Sequence, residues 1–169
     1  MHARPFIDSL DFAENGREIN GEMPIADLPR LLDVLENPSG FLSYTVRGGV
    51  NRQGVPWLHI NVAGSCRLRC QRCLNGMDYT VQIDTRLLLR DQAALDALDD
   101  NVADENEEEF DSILTDARMD VPNLIEEEIL LSLPIAPKHE PDACQMSGDV
   151  EHKDAKHPFA ALAKLKVIK

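Results

Sequence analysis

The sequence predicts an α+β fold, an antiparallel β-meander packed against two or three helices. Three observations support it. Residues 41–90 hold three stretches in which apolar and polar residues alternate, the period of a half-buried strand, separated by turn-forming residues. Residues 25–35 and 120–133 space their apolar residues at helical intervals. The chain has 169 residues, and a domain of about 150 residues removes roughly 70% of its extended-chain surface from water. One aliphatic core is therefore expected.

In chain order, Phe6, Ile7, Leu10 and Phe12 form an apolar patch to which no element is assigned. Arg17 to Glu22 reads as a brief strand. Ile25, Leu28, Leu32 and Leu35 recur at helical spacing, and Pro29 fits a first turn, so a helix is expected over 25–35. Asn37-Pro38-Ser39-Gly40 ends it. Residues 41–50 and 55–63 read as strands joined by the turn Asn51–Gly54, with Leu58, Ile60 and Val62 on the apolar face. Residues 79–89 return as a third strand after the turn signal Leu74-Asn75-Gly76.

Acidic residues dominate 91–111, which reads as a loop with at most one helical turn. Phe110 to Leu114 is a short strand. Asp120-Val121-Pro122 opens the best helix of the chain, an Asp cap with Pro in the first turn. Leu124, Ile125, Ile129 and Leu133 lie on one side of it, and Leu130 and Leu131 broaden that face. Residues 1–150 are thus expected to form one domain. Residues 151–169 read as a flexible basic tail, with Phe159, Leu162 and Leu165 set against Lys164, Lys166 and Lys169.

Charge is uneven. The chain carries −13 overall, yet residues 46–90 hold seven arginines against two acids, and residues 91–130 hold fifteen acids against one arginine. Acidity argues against strong nonspecific RNA binding, which comes from phosphate neutralisation. It suits a basic protein partner. Three arginines, Arg67, Arg69 and Arg72, are interleaved with cysteines and are candidates for RNA or partner contact. No run reaches the ~20 apolar residues of a membrane span. The N-terminal stretch lacks the apolar region of a secretion signal, so a cytoplasmic location with reduced thiols is expected.

Three of the four cysteines, Cys66, Cys70 and Cys73, fall within eight residues. Their spacing matches the cluster ligands of radical S-adenosylmethionine enzymes, but no succession of strand–helix units follows to build that barrel. Cys70-Gln71-Arg72-Cys73 also has redox spacing, but such pairs sit where a strand gives way to a helix, and here both neighbours read as strands. A structural zinc ion needs four N or S ligands. Cys70 and Cys73 supply two from a turn, and His139 and Cys144 supply two more if the long helix folds back. The alternative is a set of small, mostly buried cysteines with no ligand. The sequence leaves these two open. Cys66 is a spare or an alternative ligand. No phosphate loop, nucleophile elbow or H-E-x-x-H motif is present, so no catalytic residue is nominated.

The ordered set Cys70-Gln71-Arg72-Cys73, the acidic middle, Glu127 to Pro134, Pro137-x-His139, Cys144 and Pro158 to Lys166 resembles the YceD family. The resemblance runs over roughly residues 16–166. It implies a non-enzymatic factor in ribosome biogenesis that supports accumulation of large-subunit (23S) ribosomal RNA. It carries over Cys70 and Cys73 as signature positions, and His139 and Cys144 more loosely. The implied partners are a large-subunit precursor, its RNA or a basic ribosomal protein. The rival is a thiol- or zinc-dependent redox protein or enzyme using Cys70 and Cys73. Oligomeric state is not legible.

Overall fold

The computed structural model describes residues 4–100, 110–140 and 142–144. The unassigned N-terminal patch forms strand Phe6–Ile7 (β1) and helix Ser9–Glu14 (α1). Asp8 starts α1 by accepting the Leu10 and Asp11 N–H groups, both at 3.1 Å. The helix buries Phe12 and Ala13. It lies directly on Gly48, where an added Cβ would come within 2.7 Å of the Ala13 Cα and the Phe12 carbonyl oxygen. Glu18–Pro24 (β2) follows as expected.

The helix expected over 25–35 is instead two single 3-10 turns, Ile25–Asp27 and Leu31–Asp33. Pro29 bars its predecessor from helical backbone, and Leu28 sits at φ −109°, ψ 84°. The helical spacing still reports burial: Ile25, Leu28 and Leu31 are fully enclosed. The N–H groups freed at the break do not bond up the chain. Those of Arg30 and Leu31 donate to the Glu126 carboxylate at 2.7 and 3.0 Å.

Phe41–Val50 (β3), Pro56–Arg69 (β4) and Gly76–Arg90 (β5) are the long strands. With β2 they form the expected antiparallel meander. Strand β4 runs six residues past its expected end at Ala63. Cys66 and Leu68 continue the inward set of Leu58, Ile60 and Val62, while Arg67 and Arg69 continue the outward set.

The acidic stretch expected as a loop begins with helix Gln92–Asp100 (α2), and residues 101–109 lie outside the described residues. Asp111–Leu114 (β6) forms as expected, but it joins β5 in parallel, so the five-stranded sheet is not wholly antiparallel. Met119–Asp120 (β7) pairs with β1. Val121–Ser132 (α3) follows, with the Asn123 N–H donating to Asp120 at 3.2 Å.

Leu124, Ile125 and Ile129 of α3 join the core, with Leu133 packed at its edge. Leu131 does not broaden this face, being 79% exposed. The tail expected over 151–169 lies outside the described residues. No helix among the described residues is long and apolar enough to cross a membrane.

Glu126 is 2% exposed. It also accepts from Arg30 Nε at 3.1 Å, which raises the Arg30 pKa. Its carboxylate thus joins α3 to the 3-10 turns. Replacing Glu126 by Ala leaves two N–H groups unpaired beside the core and is expected to cost about 2–4 kcal/mol in urea unfolding. Glu126→Gln keeps an acceptor and loses less. A loss below about 0.5 kcal/mol for the alanine variant, the range of ordinary surface changes, would contradict this role.

Candidate metal centre

Strand β4 ends at Arg69, and the chain turns through Cys70–Asn75 into β5. The Cys70 N–H donates to the Asn75 carbonyl and the Leu74 N–H to the Cys70 carbonyl, both at 2.9 Å. Leu74 is the only non-glycine residue with positive φ among the described residues, at 63°. The turn is tight enough to put a side-chain-bearing residue there at a cost of roughly 1–2 kcal/mol. Within it, the Arg72 N–H points at Cys70 Sγ at 3.4 Å. The turn thereby presents Cys70 and Cys73 to one centre.

The other two ligand types arrive from behind α3. Leu133 leaves the helix with extended backbone at φ −69°, ψ 145°, and Pro134 prevents a return. The Pro137 carbonyl then accepts the Gln71 N–H at 2.8 Å, which pins this segment to the cysteine turn. His139 Nε2 lies 3.1 Å from the Gly76 carbonyl oxygen and donates to it. That leaves Nδ1 as the bare nitrogen, 3.4 Å from Cys73 Sγ. Cys144 Sγ is 3.8 Å from Cys70 Sγ.

The four ligand atoms of Cys70, Cys73, His139 and Cys144 all lie within 4.8 Å of one another. Zinc bonds of about 2.3 Å to sulfur and 2.0 Å to nitrogen, in a tetrahedron, put neighbouring ligand atoms roughly 3.5–3.8 Å apart. The donor set and the two separations above fit such an ion.

The electrostatics suit a divalent cation. Burial pushes the Cys70 thiol up, but the N–H groups of Cys73, His139 and Arg72 outweigh it and hold the thiol at about 5. The Arg72 side chain is the main cause of a lowered Cys144 thiol. Cys73 is raised, first by burial and then by the neighbouring Cys144 and Cys70 sulfurs. His139 is raised by its hydrogen bonds with Cys144 and Cys70. Two sulfurs thus favour the thiolate form before any metal arrives.

Cys66 is apart from this group, buried in the core, where burial pushes its thiol up. The three candidate contact arginines are exposed. Arg67 lies between Glu36 and Asp78 at 3.6 and 3.9 Å. Arg69 donates to the Leu35 carbonyl at 3.3 Å, and Arg72 to the His139 carbonyl at 3.3 Å. Sequence reasoning missed what Gly76 and Pro137 do here, because both act through backbone carbonyls, which carry no side-chain signature. That an arginine beside the C-x2-C pair lowers a thiol is legible in the sequence, and the structure gives the effect of Arg72 to Cys144.

Replacing Arg72 by Gln removes the cation at Cys144. In chelator-treated protein, thiolate absorbance near 240 nm should then develop at higher pH than in the parent chain. An unshifted titration would show that Arg72 does not hold the thiolate.

The family model described as Large ribosomal RNA subunit accumulation protein YceD matches residues 58–166. The match takes in the cysteine turn, α3, His139 and Cys144. No solved structure matches the chain.

Proposed function

The chain belongs to the YceD family, and on that premise we propose that it is a non-enzymatic, cytoplasmic factor supporting accumulation of large-subunit ribosomal RNA. The observation that carries the proposal is the family match, extending over 58–166 and so including every residue of the Cys3His group. In this proposal Cys70, Cys73, His139 and Cys144 hold a structural zinc ion. The ion supplies a cross-link and no reaction. It joins the turn between β4 and β5 to the segment that follows α3, and its binding energy adds to folding.

Two surfaces serve the partner. Arg67, Arg69 and Arg72 flank the turn and offer guanidinium groups to RNA phosphate. The acidic stretch from Asp91 to Glu128, apart from the buried Glu126, offers charge to a basic ribosomal protein. The low Cys70 thiol favours a second reading, thiol chemistry. Cys70 has no exposed surface, however, and an attacking thiolate needs access. Structural use of the thiol is therefore preferred. Substitution of Cys70 or Cys73 by Ser should lower thermal stability, whereas a redox role requires intact folding with lost activity.

Protein purified without chelator should contain about one zinc per chain, and chelation should lower its melting temperature. Less than about a third of a zinc per chain, with no chelator effect on melting, would contradict the site. The pH dependence has a fixed sign. Cys70 is a thiolate above about 5 and binds metal in that form. Cys73 and His139 hold their protons to higher pH than usual, so zinc must displace protons from both, and zinc affinity should fall as the pH drops from neutrality. Affinity unchanged between about pH 8 and pH 5, followed with a colorimetric chelator, would contradict this ligand set.

The contact surfaces separate in one assay. Changing Arg67, Arg69 and Arg72 together to Gln should reduce co-sedimentation with large-subunit precursors several-fold, at unchanged zinc content and melting temperature, if these residues meet RNA. Deleting residues 101–109 should do so if the acidic stretch meets a protein. Binding unchanged in both variants would remove both surfaces.

A further inference from the structure

The sheet has two unlike faces. The inner one carries the core. On the outer one, no side chain of β3, β4 or β5 is buried. Arg47, His59 and Arg86 stand directly opposite one another across these three strands. Arg47 is paired with Glu18 at 2.6 Å and His59 with Asp84 at 2.6 Å. Arg86 differs from both. Among the described residues its guanidinium has no hydrogen bond and no ion pair. It lies over the Trp57 ring at 4.9 Å and the Phe110 ring at 5.3 Å.

An exposed arginine ordinarily keeps much of its rotamer freedom. Two aromatic faces fix the plane of this one, while an arginine presents five N–H donors at its edge. Trp57 is itself held, because its indole lies against Gly49, where an added Cβ would collide with the ring. The result is a planar cation, fixed before any ligand arrives, whose fork matches a phosphate group. Its setting is the one arginine-rich region of an acidic chain.

We infer that the outer face of β3–β5 takes single-stranded RNA, with Arg86 receiving a phosphate and Trp57 lying beside a base. The inference rests on the ribosomal-RNA reading above and names the surface. The oriented guanidinium supplies the phosphate contact of sequence-tolerant single-strand binding, and the partly exposed Trp57 and Phe110 rings that flank it line the path of the neighbouring bases. The rings orient the guanidinium for phosphate or carboxylate alike, and the ribosomal-RNA reading above selects phosphate over the carboxylates of an acidic peptide. The face is also long enough. Trp57 and Arg67 lie on its β4 row, ten residues apart, roughly 33 Å at about 3.3 Å per residue.

Trp57 is the only tryptophan of the chain, so its fluorescence reports this face directly. The full chain is titrated with a ten-nucleotide single-stranded RNA of mixed sequence, reading tryptophan emission and the anisotropy of a label on the RNA. Saturable quenching is expected. Arg86→Gln should weaken binding about tenfold and lower the salt slope by about 0.7, the loss of one phosphate contact on a single strand. Trp57→Phe, which keeps a ring, should weaken binding less than Trp57→Ala, and all three variants should melt within a few degrees of the parent.

Equal affinity of Arg86→Gln and the parent chain overturns the inference. So does a polyglutamate peptide that quenches Trp57 as strongly as RNA, which would assign the face to an acidic protein segment. RNA binding seen only after deletion of residues 101–109 would assign it to the acidic stretch of the chain itself. If the chain co-sediments with large-subunit precursors while RNA leaves Trp57 unchanged, the inference fails and the proposed function stands. If it does neither, both fail.

Discussion

The ladder between β4 and β5 is the constraint on which the other parts depend. It runs from Trp57 opposite Leu88 to Arg69 opposite Gly76. Because strand side chains alternate, this one register decides three things at once. It turns Leu58, Ile60, Val62, Cys66 and Leu68 inward to the core. It sets Trp57, His59 and Arg67 on the outer face. It also ends where Cys70 must leave the sheet, so the turn that carries Cys70 and Cys73 is the tip of the hairpin. A slip of one residue would exchange the two faces and move the cysteines out of the turn.

The C-terminal side of the chain is brought back to that tip by several weak links acting together. Helix α3 is held by apolar burial and by Glu126, and Pro134 sends the following segment across the turn. Gln71 receives it at Pro137, and Gly76 orients His139. Cys144 is the last described residue, and it reaches Cys70 across seventy-four positions of sequence. Closing so long a loop carries a large entropy cost, which grows slowly with length. A bond through a shared ion offsets it more firmly than the single hydrogen bonds do. This is the physical sense in which a zinc ion would be structural here.

Much of this was legible in the sequence, and the gaps have identifiable causes. The meander was visible because alternation is strict over β3, β4 and β5. Asp120 and Pro122 announced α3. The four candidate ligands could be chosen because cysteines are few and His139 stands close to Cys144. The 25–35 helix was misread because Leu and Ile spacing reports which side is buried. It does not report whether the backbone can continue past Pro29 when Glu126, ninety-five residues from Leu31, takes the free N–H groups. The cysteines and arginines after Ala63 read as a motif, yet their alternation also continues β4 to Arg69. The parallel pairing of β6 with β5 joins residues more than twenty positions apart, which local pattern does not encode. Nothing in the local sequence marks Arg86, since its two ring partners come from β4 and from beyond α2.

One ion, held by three sulfurs and one nitrogen, is proposed to close this fold. X-ray absorption at the zinc edge on protein purified without chelator tests it most directly. The expected spectrum shows a first shell of three sulfurs near 2.3 Å and one nitrogen near 2.0 Å, with one sulfur lost in Cys144→Ser. A shell of nitrogen and oxygen atoms only, or a spectrum unaltered by Cys144→Ser, would contradict it.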